Sequence, residues 1–412
     1  MKIKHLHIVN YKAISEINID CANQFNVIIG SNGVGKTTIL SAISILYSWL
    51  FARIRGINSK GRTIPLSSIR EGEDYSYLSI TLEYKDQEYF WSLYKQKSGI
   101  HVSVDYKTDL SQLASLIEQV QGVQDTFNSL PTLVTYNINR NVTVFNSIFR
   151  KSNVKHSGLL EDGSRADWRS FFGWFVEKEN EENRMKVHIS PEYKDSELES
   201  VRKVVNKIFG STFRNIYVHP KRKTLVIEKD GHIINFLDLS DGEKCYLALI
   251  MDISRRLDAI SDEGMVVLID EADLHLHPEW QLSFVDNLRR AFPTCQFFLT
   301  THSSLLLSDL KSDYDEQLWV LQEGRRIMLS GSSYGDDTSY ILKRYFGLKT
   351  VRNPQIQEMI NAISDELSKE STNISQVESW MKELDDLDVQ YDDSARYKLL
   401  LGIKKRNNEK DN

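Results

Sequence analysis

Cysteine is scarce: three in 412 residues, Cys21, Cys245 and Cys295, with no pair at CxxC spacing. That excludes a disulfide framework and a Cys-based zinc cluster, and it suits a reducing compartment in which thiols stay buried. Proline and glycine are few, 7 and 20, which excludes fibrous and low-complexity chains. Positive charge is not in excess, since 51 Lys and Arg stand against 57 Asp and Glu for a formal net charge of −6. Bulk electrostatics therefore offers nucleic acid no attraction, and any DNA contact has to come from a local patch. Long hydrophobic runs are also missing. The longest uncharged stretch, Thr37 to Ala52, is rich in Ser and falls short of the about 20 apolar residues that a membrane span needs. The first residues, MKIKHLHIVN, lack a signal-peptide apolar core. The expectation is a cytoplasmic chain with no membrane partner.

What is present reads as an ordinary globular α/β protein, 41% hydrophobic and 26% charged, long enough for roughly two to three folding units. Strand-like runs occur at Ile3 to Val9, Ile17 to Ile19 and Phe25 to Ile29, followed by a Gly-rich turn and an apolar helical pattern from Lys36 to about Arg53. Residues 75 to 105 alternate apolar and polar, the pattern of antiparallel strands. A helix is expected from Leu110 to Val120, a strand at Thr132 to Tyr136, and hairpin strands from Ile216 to Leu237 that turn at Lys229-Asp230-Gly231. Met265 to Ile269 and Gln296 to Thr300 are short apolar runs of the kind buried on both faces of a parallel sheet. Trp168, Phe171, Phe172, Trp174 and Phe175 recur at helical spacing, which points to a core-facing side rather than a base-stacking surface. After about residue 335 three apolar helical faces follow: Ile356 to Leu367, Val377 to Leu384 and Tyr397 to Ile403. They serve either internal packing or a partner.

Gly30-Ser31-Asn32-Gly33-Val34-Gly35-Lys36-Thr37 fits G-x-x-x-x-G-K-S/T between a strand and a helix. Such a loop holds phosphates on backbone N–H groups, with Lys36 reaching the β and γ oxygens and the Thr37 hydroxyl on Mg²⁺; Thr38 follows on the same helix start. The strand at Met265 ends in Asp270-Glu271. Asp270 is placed for the Mg²⁺ shell, and Glu271, pointing elsewhere, for the attacking water. Ser240 and Glu243 form an S-x-x-E capping box opening an apolar helix, and a helix start carrying a Ser hydroxyl is also an anion site.

Leu239-Ser240-Asp241-Gly242-Glu243-Lys244 resembles the signature motif of ABC-type ATPases, and Thr300-Thr301-His302-Ser303 resembles their switch-histidine segment. Asp270-Glu271-Ala272-Asp273-Leu274-His275-Leu276-His277-Pro278 narrows the likeness to the soluble SMC/RecF/overcoming-lysogenisation-defect group, where Leu274 to Pro278 would be the D-loop at a dimer seam. Leu130 to Arg140, the helix through Trp174-Phe175 to Glu182-Asn183 and the tail after Tyr334-Gly335 extend the resemblance to the ATPase subunit of Septu-type anti-phage systems, whose relatives accompany some retrons. The resemblance implies an ABC-type P-loop ATPase head over 1–335, with an antiparallel β subdomain and a helical and β insertion at about 108–235, then a C-terminal helical region over 336–412. It implies ATP and Mg²⁺ as cofactors, Lys36, Glu271 and His302 as catalytic groups, and residues 30–38 with Ser240 and Gly242 as the nucleotide contacts. It further implies self-association through composite ATP sites and a separate HNH nuclease or other effector. The signature departs from transporters at Asp241 and Glu243-Lys244. The Q-loop would fall at 137–145, where no Gln occurs, and the adenine-side contact falls to Tyr11 or Lys12.

Two other functions compete. A self-contained nuclease of the overcoming-lysogenisation-defect type adds a TOPRIM domain, but only about 110 residues follow His302 and they carry no paired-carboxylate strand motif. An SMC-like DNA-repair or tethering ATPase would show long heptads for a coiled-coil arm, and none is seen. Lys221-Arg222-Lys223, Arg202-Lys203 and Arg53 with Arg55 are read as solvated faces, with a DNA-facing stripe as the alternative.

Overall fold

Phe25–Gly30 (β3), Met265–Ile269 (β10) and Gln296–Thr300 (β11) are buried at every position, which requires cover on both faces of the sheet they form. The computed structural model describes residues 1–56, 58–99, 103–121, 132–137, 168–210, 212–221, 224–258, 264–311, 313, 315–327, 331–369, 373–387 and 389. Lys2–Tyr11 (β1), Ile14–Asp20 (β2), Tyr75–Tyr84 (β4) and Gln87–Gln96 (β5) make a four-stranded antiparallel sheet in the order β2-β1-β4-β5. The central sheet is six-stranded. Together with Thr132–Tyr136 (β6), Glu316–Gln322 (β12) and Arg325–Ile327 (β13) it runs β13-β12-β3-β11-β10-β6, all parallel except β13. Phe213–Val218 (β7), Leu225–Lys229 (β8) and His232–Asn235 (β9) form a small antiparallel sheet. Asp230 and Gly231, both at positive φ, make the β8–β9 turn.

Lys36–Arg55 (α1) packs against strands of both larger sheets. By length and composition it is apolar enough to cross a membrane, yet 14 of its 20 residues are buried inside the protein, so its apolarity is that of a core helix. Large side chains such as Ile39, Ile43, Leu46, Leu50 and Phe51 are 0–2% exposed, and each contributes roughly 1.5–3 kcal/mol on burial. Ser111–Gln121 (α2) closes the same core with Leu113, Leu116 and Val120. Gln296, fully buried at the start of β11, joins the two sheets. Its side-chain oxygen accepts from the Ile3 N–H (2.7 Å) and its amide donates to the carbonyls of Ile3 and Ala22 (2.8 Å each). A polar group survives here because its oxygen and both amide hydrogens are bonded to backbone.

Beyond the sheets lie Trp168–His188 (α3), Ser196–Phe209 (α4) and Asp241–Asp258 (α5). Phe171, Phe172, Trp174 and Phe175 of α3 are 0–7% exposed, so the aromatic stripe is core and offers no stacking surface; the Trp168 side chain lies outside the described residues. Arg202 is committed to Glu179 and Glu182 at 3.3 and 2.8 Å, which removes it from a DNA-facing stripe. Arg222 and Lys223 lie outside the described residues. The stretch expected as an insertion at 108–235 contains β6, which is an integral strand of the central sheet beside β10.

Pro278–Leu282 (α6), Phe284–Ala291 (α7), Ser304–Leu307 (α8) and Thr338–Arg344 (α9) follow. The chain divides into two compact units, Met1–Ile341 and Leu342–Asn412. In the second, Pro354–Ser368 (α10) and Ile374–Asp386 (α11) are capped by Asn353 and Asn373. Ile363, Val377 and Leu384 are fully buried between them, with Ile356, Met359, Ile360, Leu367, Trp380 and Met381 packed around. The two faces expected either to pack internally or to receive a partner are thus each other's cover. The third, Tyr397 to Ile403, lies outside the described residues.

Candidate nucleotide site

Parallel register brings three strand ends to one edge: Thr300 of β11 pairs with Ile28 of β3, and Ile269 of β10 pairs with Leu299. Ligands collect at the C-terminal edge of such a sheet. Leaving β3, Gly30 has φ 152°, and a Cβ there would stand 2.6 Å from the Leu321 carbonyl of β12, so only glycine fits. Gly35 (φ 111°) caps α1 without a side-chain bond, leaving the helix start to its own N–H groups. Ser31, Asn32, Gly33 and Thr37 are exposed, Val34 is half-buried, and Thr38 is buried.

Lys36 folds back over the loop. Its ammonium donates to the carbonyls of Gly30 (2.9 Å) and Ser31 (3.0 Å). Burial lowers its pKa, opposed by the negative charges of Glu271, Asp270 and Asp273. The Thr37 hydroxyl donates to both oxygens of Asp270, at 3.1 and 3.0 Å. Asp270 is 2% exposed; it accepts from the Thr300 hydroxyl at 2.6 Å, and its own N–H donates to the Tyr136 carbonyl of β6. The same Thr300 hydroxyl accepts from the Glu271 N–H at 2.7 Å. Glu271 sits at φ 49°, a left-handed conformation rare for such a residue and often found at working sites, and it carries the chain away from the direction of Asp270.

His302 is exposed, just past β11. Ser240 and Glu243 make the reciprocal capping box: the Ser240 N–H donates to Glu243 Oε2 (2.9 Å), and the Glu243 N–H donates to Ser240 Oγ (3.3 Å). Gly242 lies against the segment expected as the D-loop, where a Cβ would meet the His275 carbonyl at 2.0 Å. Residues 30–38, Asp270, Glu271 and Thr300 to His302 therefore share one edge. Ser240 and Gly242 stand apart: among the described residues no hydrogen bond joins them to 30–38. Tyr11 is 1% exposed, so its ring cannot face an adenine. Asn137 apart, the 137–145 segment expected as the Q-loop lies outside the described residues. Among the described residues no group of three or more His, Cys, Asp or Glu suits a metal ion.

Sequence reading missed Thr300 as the hydroxyl bridging Asp270 and Glu271, and Tyr136 as the strand support of Asp270. The repeated Thr300-Thr301 before His302 was the available signal. Such a loop, acid pair and sheet edge define a P-loop nucleotide-binding fold. The chain belongs to the family described as "AAA domain, putative AbiEii toxin, Type IV TA system", whose model matches residues 25–308. It is similar to the Retron Ec83 probable ATPase of Escherichia coli, with 24% identity across 84% of this chain and 76% of that protein. The Retron Vc95 probable ATPase of Vibrio cholerae serotype O1 biovar El Tor shares 27% across 78% and 74%. The Septu protein PtuA of Bacillus thuringiensis shares 25% across 90% of each chain.

Proposed function

We propose that this chain binds and hydrolyses ATP with Mg²⁺, dimerises around the nucleotide, and gates a separate effector, an HNH nuclease, in defence against phage. The observation that carries the chemistry is the convergence of Lys36, Thr37, Asp270 and Glu271 on one sheet edge. The donors fit Mg²⁺: Thr37 Oγ1 and Asp270 Oδ2 are 3.0 Å apart, the spacing of adjacent ligands on an octahedron with metal–oxygen bonds of about 2.1 Å. When bound, the ion would neutralise charge on the β and γ phosphate oxygens. Lys36 leaves the loop carbonyls for those oxygens, and the N–H groups of 33–38 hold the phosphates. Glu271 takes the proton of the attacking water, and His302 reads the γ-phosphate. Ser240 and Gly242, exposed or half-buried at the start of α5 and apart from their own P-loop, suit a nucleotide held by a second copy. The defence role and the effector follow from the likeness to retron and Septu proteins.

Sharing of sites has a direct test. Lys36→Ala and Ser240→Arg proteins, each inactive alone, should regain ATP hydrolysis when mixed, because one composite site in each heterodimer is intact. Mixed dimers that form without regaining activity would count against completion in trans. Purified alone, the chain should also leave plasmid and phage DNA uncut with Mg²⁺ or Mn²⁺, with or without ATP. Cleavage abolished by substituting a carboxylate outside the ATP site would assign the nuclease to this chain.

A further inference from the structure

We infer that Asp273 is the positioning residue of the switch loop, fixing His302 for hydrolysis and tying it to the D-loop; the inference rests on the ATPase reading above. One carboxylate oxygen holds the loop. Asp273 Oδ1 accepts from the Thr301 hydroxyl at 2.5 Å and from the His302 N–H at 3.2 Å. Thr301 is fully buried, its N–H donates to the Ile28 carbonyl of β3 (3.2 Å), and its hydroxyl accepts from the Ser303 N–H (3.0 Å). Three consecutive residues, 301–303, are thereby referred to a single acceptor. Bonds to an ionised carboxylate are about twice as strong as neutral ones, so this acceptor dominates the placement of His302.

A second link closes the device independently. The Ser303 hydroxyl donates to Gln281 Oε1 (2.6 Å), and the Gln281 amide donates to the Leu276 carbonyl (2.8 Å). The Leu276 N–H in turn donates to the Asp273 carbonyl (3.1 Å). Segment 273–276 and segment 301–303 are joined at both ends, and the carbonyl of His275, inside the first, is the atom against Gly242 of α5. Movement of His302 on loss of the γ-phosphate is therefore passed to the turn on which the signature helix rests. Both bonds to Asp273 Oδ1 come from this loop, so it acts through His302.

The test is a double-mutant cycle on ATP hydrolysis, with ATP affinity measured alongside because Asp273 also adds to the negative field at Lys36. Asp273→Ala should lower kcat by about tenfold to a hundredfold, the usual cost of misplacing a reacting group by an ångström, with KM within about twofold. Asp273→Asn, which keeps an oxygen acceptor, should recover part of the loss. Thr301→Val, which leaves the charge in place and removes the hydroxyl that donates to it and accepts from the Ser303 N–H, should lower kcat in the same direction. The Asp273→Ala/His302→Ala double variant should be no slower than His302→Ala alone. Asp273→Ala at wild-type kcat, or a double variant slowed by the product of the two single effects, overturns the inference while Lys36-dependent hydrolysis leaves the ATPase reading standing. Hydrolysis undiminished in Lys36→Ala would overturn both.

Discussion

Glu271→Gln should bind ATP and Mg²⁺ as the wild type does and hydrolyse at about one-hundredth of its rate or less, the scale of losing a general base. The substitution preserves shape, and the Glu271 N–H that bonds Thr300 belongs to the backbone, so the turn at φ 49° is kept. What is lost is the basic oxygen and one negative charge. That charge is the foremost of three that favour the Lys36 ammonium; Asp270 and Asp273 remain, so phosphate binding survives. Fluorescent-nucleotide titration and phosphate release measure the two halves separately. Wild-type turnover would remove Glu271 from the role of base.

Asp252→Ala should cost about 3–5 kcal/mol of folding stability, the penalty for stripping one partner from a buried ion network. Asp252 is 1% exposed. It accepts from the Tyr136 hydroxyl (2.9 Å), Arg256 Nε (2.8 Å) and Arg255 NH2 (2.8 Å), joining α5 to β6. Burial alone would raise its pKa; Arg256 and Arg255 and the hydrogen bonds from Arg256 and Tyr136 outweigh it and hold the carboxyl below the ordinary aspartate range. The folded value is thus depressed relative to about 3.9 in the unfolded chain. Its stabilisation is complete above about pH 4 and is lost as pH falls through the lower folded value. Urea midpoints of wild type and Asp252→Asn should differ widely at neutral pH and converge in acid. A gap that does not change with pH would mean that the charge is not what holds the network together.

The parts of this fold legible in the sequence are those whose cause is local. β10 and the Phe297 to Leu299 middle of β11 are apolar runs because both faces are covered, and the strand–loop–helix of residues 25–55 announces itself by three glycines and an apolar helix. The aromatic spacing of α3 declares a core side for the same reason. β12 and β13 escaped notice. Glu316–Gln322 has polar ends, and its strand character comes from parallel pairing with β3 and from Glu316, which Arg289 of α7 holds at 2.6 Å. Thr300 and Asp273 acquire their roles only when β10 and β11 lie side by side, since their partners are 28 to 30 positions away. Tyr11, one of the two residues expected on the adenine side, is not available there: the β1–β2 hairpin turns its ring inward, where its hydroxyl meets Ser41.

The central sheet also dictates an order of synthesis. β3 is made among the first 30 residues, but both its neighbours, β11 and β12, come from residues 296–322. Until then the nascent chain carries a strand with two open edges. Pairings that span most of a chain are slow to form and expose aggregation-prone surface meanwhile. The P-loop therefore emerges early from the ribosome and becomes a site late: no length of chain that stops before β12 can bring Gly30 against Leu321.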